Sequence, residues 1–151
     1  MPEERIIKAA EISVFAHATE DEEKVKQAVK RLAKYEHVFE NQRLTGHYED
    51  PITLLTSKTT KKKEASDLLA NIVDKLSRLD RETLLQELPN RVDPQGCLYL
   101  RLDKQKAYHG RAVLNENDSI RIKLKFQLPH KADPVVVIRE YIINLEEEGE
   151  E

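Results

Sequence analysis

The sequence predicts an α+β fold, in which a mostly antiparallel sheet carries helices packed on one face. Apolar residues at alternate positions predict strands, and apolar residues three and four apart predict helices. The predicted order, β-α-β-α-α-β-β-β-α, lacks the regular alternation of a wound parallel sheet. A length of 151 residues, with 39% hydrophobic and 35% charged residues, fits one domain with a charged surface.

Two strands and a helix are predicted in the first 50 residues. Residues 10–17 alternate as a strand, and Thr19 and Glu22 have the spacing of a capping box at the start of a one-sided helix. A second strand is predicted over 38–45. Because proline interrupts a ladder, we predict a turn over 46–51.

The middle of the chain is predicted to be mainly helical. A continuous apolar stripe predicts a helix over 61–79. Asp80 is then expected to cap a shorter helix over 81–88, which Pro89 ends. Residues 98–103 alternate as the next strand.

The last third combines a hairpin with a terminal helix. A helical turn over 104–108 precedes a hairpin turn at 115–118 and the most regular strand, 120–126. Aspartate followed by proline at 133 and 134 supplies a cap and a proline at the first helical position, which predicts a helix over 134–146.

Charge is distributed unevenly along the chain. The net charge is −3, but five acids lie in residues 146–151 and two more near the start, which leaves 21 acids against 25 lysines and arginines. We predict one mildly basic domain over 1–145 and an acidic disordered tail over 146–151. An acidic end can screen a basic surface from wrong partners, although a simple solvated terminus explains it too.

Several function classes lack their sequence signature. The single cysteine, Cys97, allows neither an internal disulfide nor a thiolate zinc site, which favours a reducing compartment. Without a run of about 20 apolar residues, we predict no membrane association and a cytoplasmic location. The histidines lack metal-ligand spacing, and no nucleophile or glycine-rich nucleotide motif occurs, so we predict no metal, no cofactor and no enzyme activity.

The first candidate binding site is a lysine-rich segment at the start of the predicted 61–79 helix. Its members are Ser57, Lys58, Thr59, Thr60, Lys61, Lys62 and Lys63. Lysines there oppose the helix dipole, and hydroxyls, free N–H groups and ammoniums together suit a phosphate. A mobile loop kept soluble by charge explains the segment equally well. His47, in the predicted turn, is a further candidate for a polar contact to phosphate.

The second candidate site is the outer face of the late strands. When the apolar residues of the most regular strand point inward, Arg121, Lys123 and Lys125 point outward together. Tyr99 and Arg101 point outward from the preceding strand by the same rule. A row of like charges favours an anion, and Tyr99 can stack on a base. The alternative is an ordinary solvated face whose lysines protect an edge strand.

Four short segments carry a family resemblance. They are LYLRLDKQ at 98–105, DSIRI at 118–122, Thr19-Glu20-Asp21 after the first strand, and Gly46-His47 before Pro51-Ile52. Together, over roughly residues 10–143, the chain resembles an archaeal family of RNA-binding proteins associated with exosome genes. The resemblance implies a compact α+β domain similar to the large-subunit ribosomal protein that binds 5S ribosomal RNA. It also implies RNA binding without catalytic residues or a cofactor.

These features lead to two hypotheses for function. The first is an RNA-binding protein that contacts the phosphate backbone of structured RNA with weak sequence specificity, and that is linked to the exosome and RNA processing. The second is a protein-interaction module that binds subunits of an RNA-processing complex without touching RNA. A homodimer is a further alternative, because an open sheet face or an edge strand can pair. A hydrolase or nuclease has the least support.

Overall fold

Five strands form one antiparallel sheet in the computed structural model, which describes residues 6–46 and 50–149. The strands are β1 (Ile7–His17), β2 (Glu40–Thr45), β3 (Pro51–Thr59), β4 (Cys97–Asp103) and β5 (Ser119–Phe126). The helices are α1 (Glu22–Leu32), α2 (Lys62–Lys75), α3 (Arg78–Arg91), α4 (Lys104–Tyr108) and α5 (Pro134–Gly149). The sheet order is β2-β3-β1-β5-β4, which confirms the predicted class.

The core lies on one face of this sheet. Ile122 on β5 is paired with Ile12 on β1 and with Leu100 on β4, and all three side chains are about 1% exposed. The buried residues of α1, α2, α3 and α5 join the same cluster. The helices therefore cover one face, as predicted, and leave the opposite face of the central strands accessible.

The strand β3 lies in a segment where the sequence predicts no strand. Its inward positions, 53, 55, 57 and 59, are Thr, Leu, Ser and Thr, so the apolar alternation that marks a strand is missing although all four are buried. Pro51 is the first residue of β3, a position where proline is tolerated. Residues 47–49 of the predicted turn lie outside the described residues, and its last residue, Pro51, already belongs to β3.

The order of elements differs from the prediction at one further place. The predicted order has three strands after the two middle helices, whereas the described residues there form two strands, β4 and β5, and the isolated bridge between Leu102 and Leu114. The described elements keep five strands but run β-α-β-β-α-α-β-α-β-α. The predicted helical turn over 104–108 is α4.

The long predicted helix over 61–79 is divided at Ser77. The helix α2 ends at Lys75, and the Ser77 hydroxyl accepts a hydrogen bond from the Asp80 N–H at 3.1 Å, which makes Ser77 the cap of α3. Asp80, the predicted cap, instead accepts from the Leu114 N–H at 3.1 Å.

Pro89 does not end α3, which continues to Arg91. Proline has no N–H to offer the carbonyl four residues earlier, here that of Leu85. The guanidinium of Arg139 on α5 donates to that carbonyl oxygen at 3.4 Å. A tertiary contact therefore satisfies the acceptor that the proline leaves free.

Two more boundaries differ from the prediction. The cap of α1 is Asp21, whose Oδ1 accepts from the Glu23 N–H at 3.0 Å, rather than Thr19. The helix α5 extends through Gly149 into the predicted tail, whose last two residues lie outside the described ranges. Among the described helices, none combines the length and apolar composition needed to cross a membrane.

The cross-strand row Ile12, Ile122 and Leu100 allows a test of the location of the core. Replacing Ile122 with Ala should lower the free energy of unfolding by about 2–5 kcal/mol, because it leaves a cavity between β1 and β4. Leu79→Ala, at a side chain that is 71% exposed, should change it by less than about 0.5 kcal/mol. Urea unfolding followed by circular dichroism measures both. An equal decrease in the free energy of unfolding in the two variants would contradict this location of the core.

Candidate nucleic-acid interface

The face of the sheet opposite the core brings the predicted outward side chains together. Arg121 is paired with Arg101, and Lys123 is paired with Tyr99 and Glu11. Directly opposed residues on antiparallel neighbours share a face, and neighbouring strands lie about 4.8 Å apart. We call this surface the open face. Its charged and aromatic members include Glu11, Phe15, Glu40, Lys58, Tyr99, Arg101, Arg121, Lys123 and Lys125.

Three cations of the open face, Arg121, Lys123 and Lys125, form no ion pair among the described residues. Two of them lie over aromatic rings. The Arg121 guanidinium is 4.9 Å from the centroid of Phe15, and the Lys123 ammonium is 5.9 Å from that of Tyr99. A ring holds a cation at the surface without cancelling its charge. Among the described residues, no carboxylate within 4.0 Å therefore neutralises these three cations.

The other two cations of the open face have distant, solvent-exposed partners. Lys58 Nζ lies 3.6 Å from Glu11 Oε1, and Arg101 Nε lies 3.9 Å from Glu116 Oε2. Exposed pairs at such distances contribute little stability. A phosphate can therefore compete for either cation at low cost.

Tyr99 is held in place although its ring is 42% exposed. Its hydroxyl donates to Asp93 Oδ2 at 3.0 Å. The other oxygen of Asp93 accepts from the backbone N–H groups of Gln95 and Cys97, so the acceptor is itself fixed. The hydrogen bond to Asp93 is the main cause that raises the pKa of Tyr99, and the phenol stays neutral at physiological pH.

A groove of about 660 Å³ adjoins the open face where β4 approaches the end of α3. Tyr99, Arg101 and Arg121 line its sheet side, and Arg91 and Glu116 line the other. Arg91 is only 9% exposed, and its Nη2 lies 2.8 Å from Glu116 Oε1. The groove therefore contains both donors and acceptors. Sequence reasoning missed it because no local pattern brings α3 beside β4.

The lysine-rich segment is divided between strand and helix. Ser57 and Thr59 lie on the inward face of β3 and are buried. Ser57 Oγ shares a hydrogen bond with His37 Nδ1, and the Thr59 hydroxyl donates to Glu64 Oε1 at 2.6 Å. The Thr59 oxygen also accepts from the Lys61 N–H. These two hydroxyls have internal partners and are not available to a ligand.

The rest of the lysine-rich segment is exposed. The residues that follow β3 are Thr60, Lys61, Lys62 and Lys63. They lie at the end of the sheet where β5 ends at Phe126, next to Lys125. Lys61 lies 4.0 Å from Glu64, whereas Lys62 and Lys63 form no ion pair among the described residues. Lys62 and Lys63 begin α2 in the helix layer, where Lys63 lines a cavity with Tyr35, so these lysines lie beyond the end of the open face rather than on it. The predicted contact His47 lies outside the described residues.

A polar cluster that no sequence pattern predicts surrounds Lys104. Its ammonium donates to the Phe15 carbonyl at 2.9 Å and to Glu20 Oε1 at 2.9 Å, and it lies 3.1 Å from Asp118 Oδ2. Asp118 Oδ1 is 3.0 Å from His17 Nε2. The ligand atoms of His17, Glu20 and Asp118 are close enough for a metal ion, but the ammonium already contacts both carboxylates. Through these contacts the cluster links the end of β1 to the start of β5.

A family model described as RNA binding matches residues 9–126, which include the open face. The chain belongs to this RNA-binding family. The family resemblance read from the sequence is thereby confirmed. The chain is also similar to RNA-binding protein PAB1135 from Pyrococcus abyssi, at 34% identity over 140 residues, which cover 87% of this chain and 90% of that protein.

Solved structures share the fold of the family. Protein AF2318 from Archaeglobus fulgidus, described with the family name DUF54, has a TM-score of 0.73 at 32% identity, covering 95% of this chain and 99% of its own. The DUF54 protein Mth689 from Methanothermobacter thermautotrophicus has a TM-score of 0.76 at 26% identity, covering 93% and 98%. The arrangement of sheet and helices is therefore common to archaeal relatives.

Asp118 in the Lys104 cluster leads to a pH-dependent prediction. Partial burial raises the pKa of its carboxyl, but the hydrogen bonds from His17 and Lys104 outweigh burial and hold the pKa below its ordinary value of 3.8. The resulting stabilisation is complete above 3.8 and is lost as the pH falls through the lower pKa of the folded state. Asp118→Asn should therefore be less stable at neutral pH, and the difference should disappear in strong acid.

Urea unfolding over a range of pH measures this effect. Asp67→Asn, on the exposed side of α2, is the matched control and should change stability little at any pH. If Asp118→Asn lowers the free energy of unfolding by the same amount from neutral pH into strong acid, the charge of Asp118 does not stabilise the cluster.

Proposed function

We propose that the chain binds structured RNA by contacting its phosphate backbone through the open face, with weak sequence specificity. The observation that carries the proposal is the row Arg121, Lys123 and Lys125, whose members form no ion pair within 4.0 Å among the described residues, although Lys123 lies opposite Glu11. Alternate residues on one strand lie about 6.6 Å apart. Three like charges at that spacing repel one another, and a polyanion relieves the repulsion while its counterions are released.

Lys58 on the open face and residues 60–63 beyond its end enlarge the proposed contact. Lys58, Thr60, Lys61, Lys62 and Lys63 would extend it beyond the end of β3, where a backbone leaving the open face can pass. Phosphate contacts of this kind position a nucleic acid without reading its bases, which accounts for the weak sequence preference. His47 stays a candidate for a further contact, whereas Ser57 and Thr59 have no part in the proposal because their hydroxyls are buried.

A binding role fits the described residues better than a catalytic one. The three residues with metal-ligand geometry, His17, Glu20 and Asp118, surround an ammonium that would have to leave before a metal ion entered. We further propose that the RNA contact serves RNA processing. The link to the exosome follows from the family resemblance alone.

The salt dependence of binding tests the phosphate contacts. Log affinity falls as log salt rises. The triple variant R121A/K123A/K125A should make this slope less steep by about 2–3, since each lost contact accounts for about 0.7–0.9. The control K24A/K30A/K106A removes the same charge from exposed lysines of α1 and α4 and should leave the slope nearly unchanged. Fluorescence anisotropy with a labelled RNA hairpin at several salt concentrations provides the measurement. Equal slopes in the two triple variants would overturn the proposed surface.

A second candidate function is the docking of an extended protein segment on β2. This strand forms one edge of the sheet, and all six of its residues are exposed. The other edge, β4, is protected by its bridges to Val92 and Leu114. An unpaired edge strand is a template for strand addition. A subunit of an RNA-processing complex would bind there without RNA, and a second copy of the chain would give a homodimer.

Lysine substitutions at the β2 edge distinguish RNA binding by the open face from protein docking on β2. Val38 is 86% exposed beside β2, and Leu44 lies within it. The variant V38K/L44K should abolish partner capture from nuclease-treated extract and any dimer seen by analytical ultracentrifugation, because charge on an edge opposes pairing. Salt-dependent RNA binding should persist. Leu79→Lys on α3 is the control. If the unsubstituted protein is monomeric and captures nothing, the second candidate is excluded.

A further inference from the structure

We infer that the groove beside β4 receives an unpaired nucleobase that stacks on Tyr99, so that the preferred ligand is a looped or single-stranded RNA segment. This inference rests on the proposed function and names the form of RNA that the same surface takes. It depends on the shape of the groove, the fixed ring of Tyr99 and the mixed charge of the lining.

The size of the groove favours a single nucleotide over a duplex. A volume of about 660 Å³ lies in the range of sites that enclose small ligands. Duplex RNA offers side chains a shallow minor groove and a major groove too narrow to enter, and its bases are covered by stacking. A concave site at the edge of a sheet can admit a base only when that base has left the stack.

Tyr99 has the properties of a stacking platform. Its exposed ring lines the groove, and the hydroxyl bond to Asp93 orients the ring before any ligand arrives. Little conformational entropy is then lost on binding. Lys123, which lies over the ring, has a flexible stem and can move to a neighbouring phosphate, which frees the ring face for a base.

The charge of the lining distinguishes a base from a phosphate. Arg121 and Lys123 of the β5 row line the groove on one side, and three carboxylates line it as well, those of Glu11, Glu87 and Glu116. Carboxylates repel phosphate and accept hydrogen bonds from the amino and imino groups of a base. Arg91 holds two of these acceptors, with Glu87 Oε2 at 2.6 Å and Glu116 Oε1 at 2.8 Å from its Nη2.

A base in the groove would present its Watson–Crick edge to this lining. Arg101 and the amide of Asn90 add donors to the acceptor carboxylates. That edge is free only in an unpaired nucleotide. Phosphates on the β5 row and a base in the adjoining groove are then parts of one bound segment, and the two chemistries lie side by side on the open face.

The experiment compares two RNAs of equal length, a hairpin with an unpaired loop and a fully paired duplex, by anisotropy at low and moderate salt. The unsubstituted protein should bind the hairpin about tenfold more tightly, within the range for one stacked base. Tyr99→Leu should lose that preference while keeping the salt slope. Tyr99→Phe should keep most of it, because the ring is retained. Tyr108→Leu, at a partly buried tyrosine of α4, is the control and should bind like the unsubstituted protein.

A second measurement needs no variant and so does not depend on how a substitution folds. With 2-aminopurine in the hairpin loop, binding of the unsubstituted protein should change the fluorescence, as a base moves onto the Tyr99 ring. Equal, salt-dependent binding of both RNAs without a fluorescence change would overturn the inference and leave the proposed function standing. If neither RNA is bound in a salt-dependent manner, the proposed function fails as well.

Discussion

The alternation of side chains along antiparallel strands is the constraint on which the rest of this structure depends. On β5, the core takes Ile120, Ile122, Leu124 and Phe126, so the residues between them must face the other way. A slip of one residue would bury Arg121 and Lys123 and expose the apolar set. The packing of the core therefore determines where the cations lie, and neither can change without the other.

The distribution of carboxylates separates structural cations from those left for a ligand. Lys104 is held by two carboxylates and a carbonyl, and Arg91 by two glutamates, so each joins segments that are distant in sequence. Arg121 and Lys123 contact aromatic rings instead. Removing Lys104 or Arg91 would take a counter-charge away from carboxylates that contact it. Removing Arg121 or Lys123 should lower the free energy of unfolding little, which is the behaviour expected of residues on a binding surface.

Membership of an RNA-binding family gives this contrast its functional meaning. In the proposed RNA complex, the cations of β5 contact phosphates, and the glutamates that share the groove with Arg121 and Lys123 accept hydrogen bonds from a base. Both lie on the side of the sheet that the helices leave accessible. The fold thus offers one continuous surface on which a backbone and an extruded base could be held by different chemistry.

The sequence by itself determined the features that arise from local periodicity. The apolar alternation of β5 is enough to predict that Arg121, Lys123 and Lys125 face outward together, and the matching strand β4 places Tyr99 and Arg101. The stripe of α2 likewise identifies a helix and its buried side. The identity of the bound RNA has no such periodic signal.

Only the tertiary structure decided the features that depend on partners distant in sequence. Ser57 and Thr59 can be buried in β3 because His37 and Glu64 satisfy their hydroxyls. The helix α3 passes Pro89 because Arg139 bonds to the free carbonyl. Phe15 lies beneath Arg121, and the groove closes through Arg91, by contacts of the same kind. Such contacts leave no pattern in the local sequence, since their geometry arises only when the core brings the elements together.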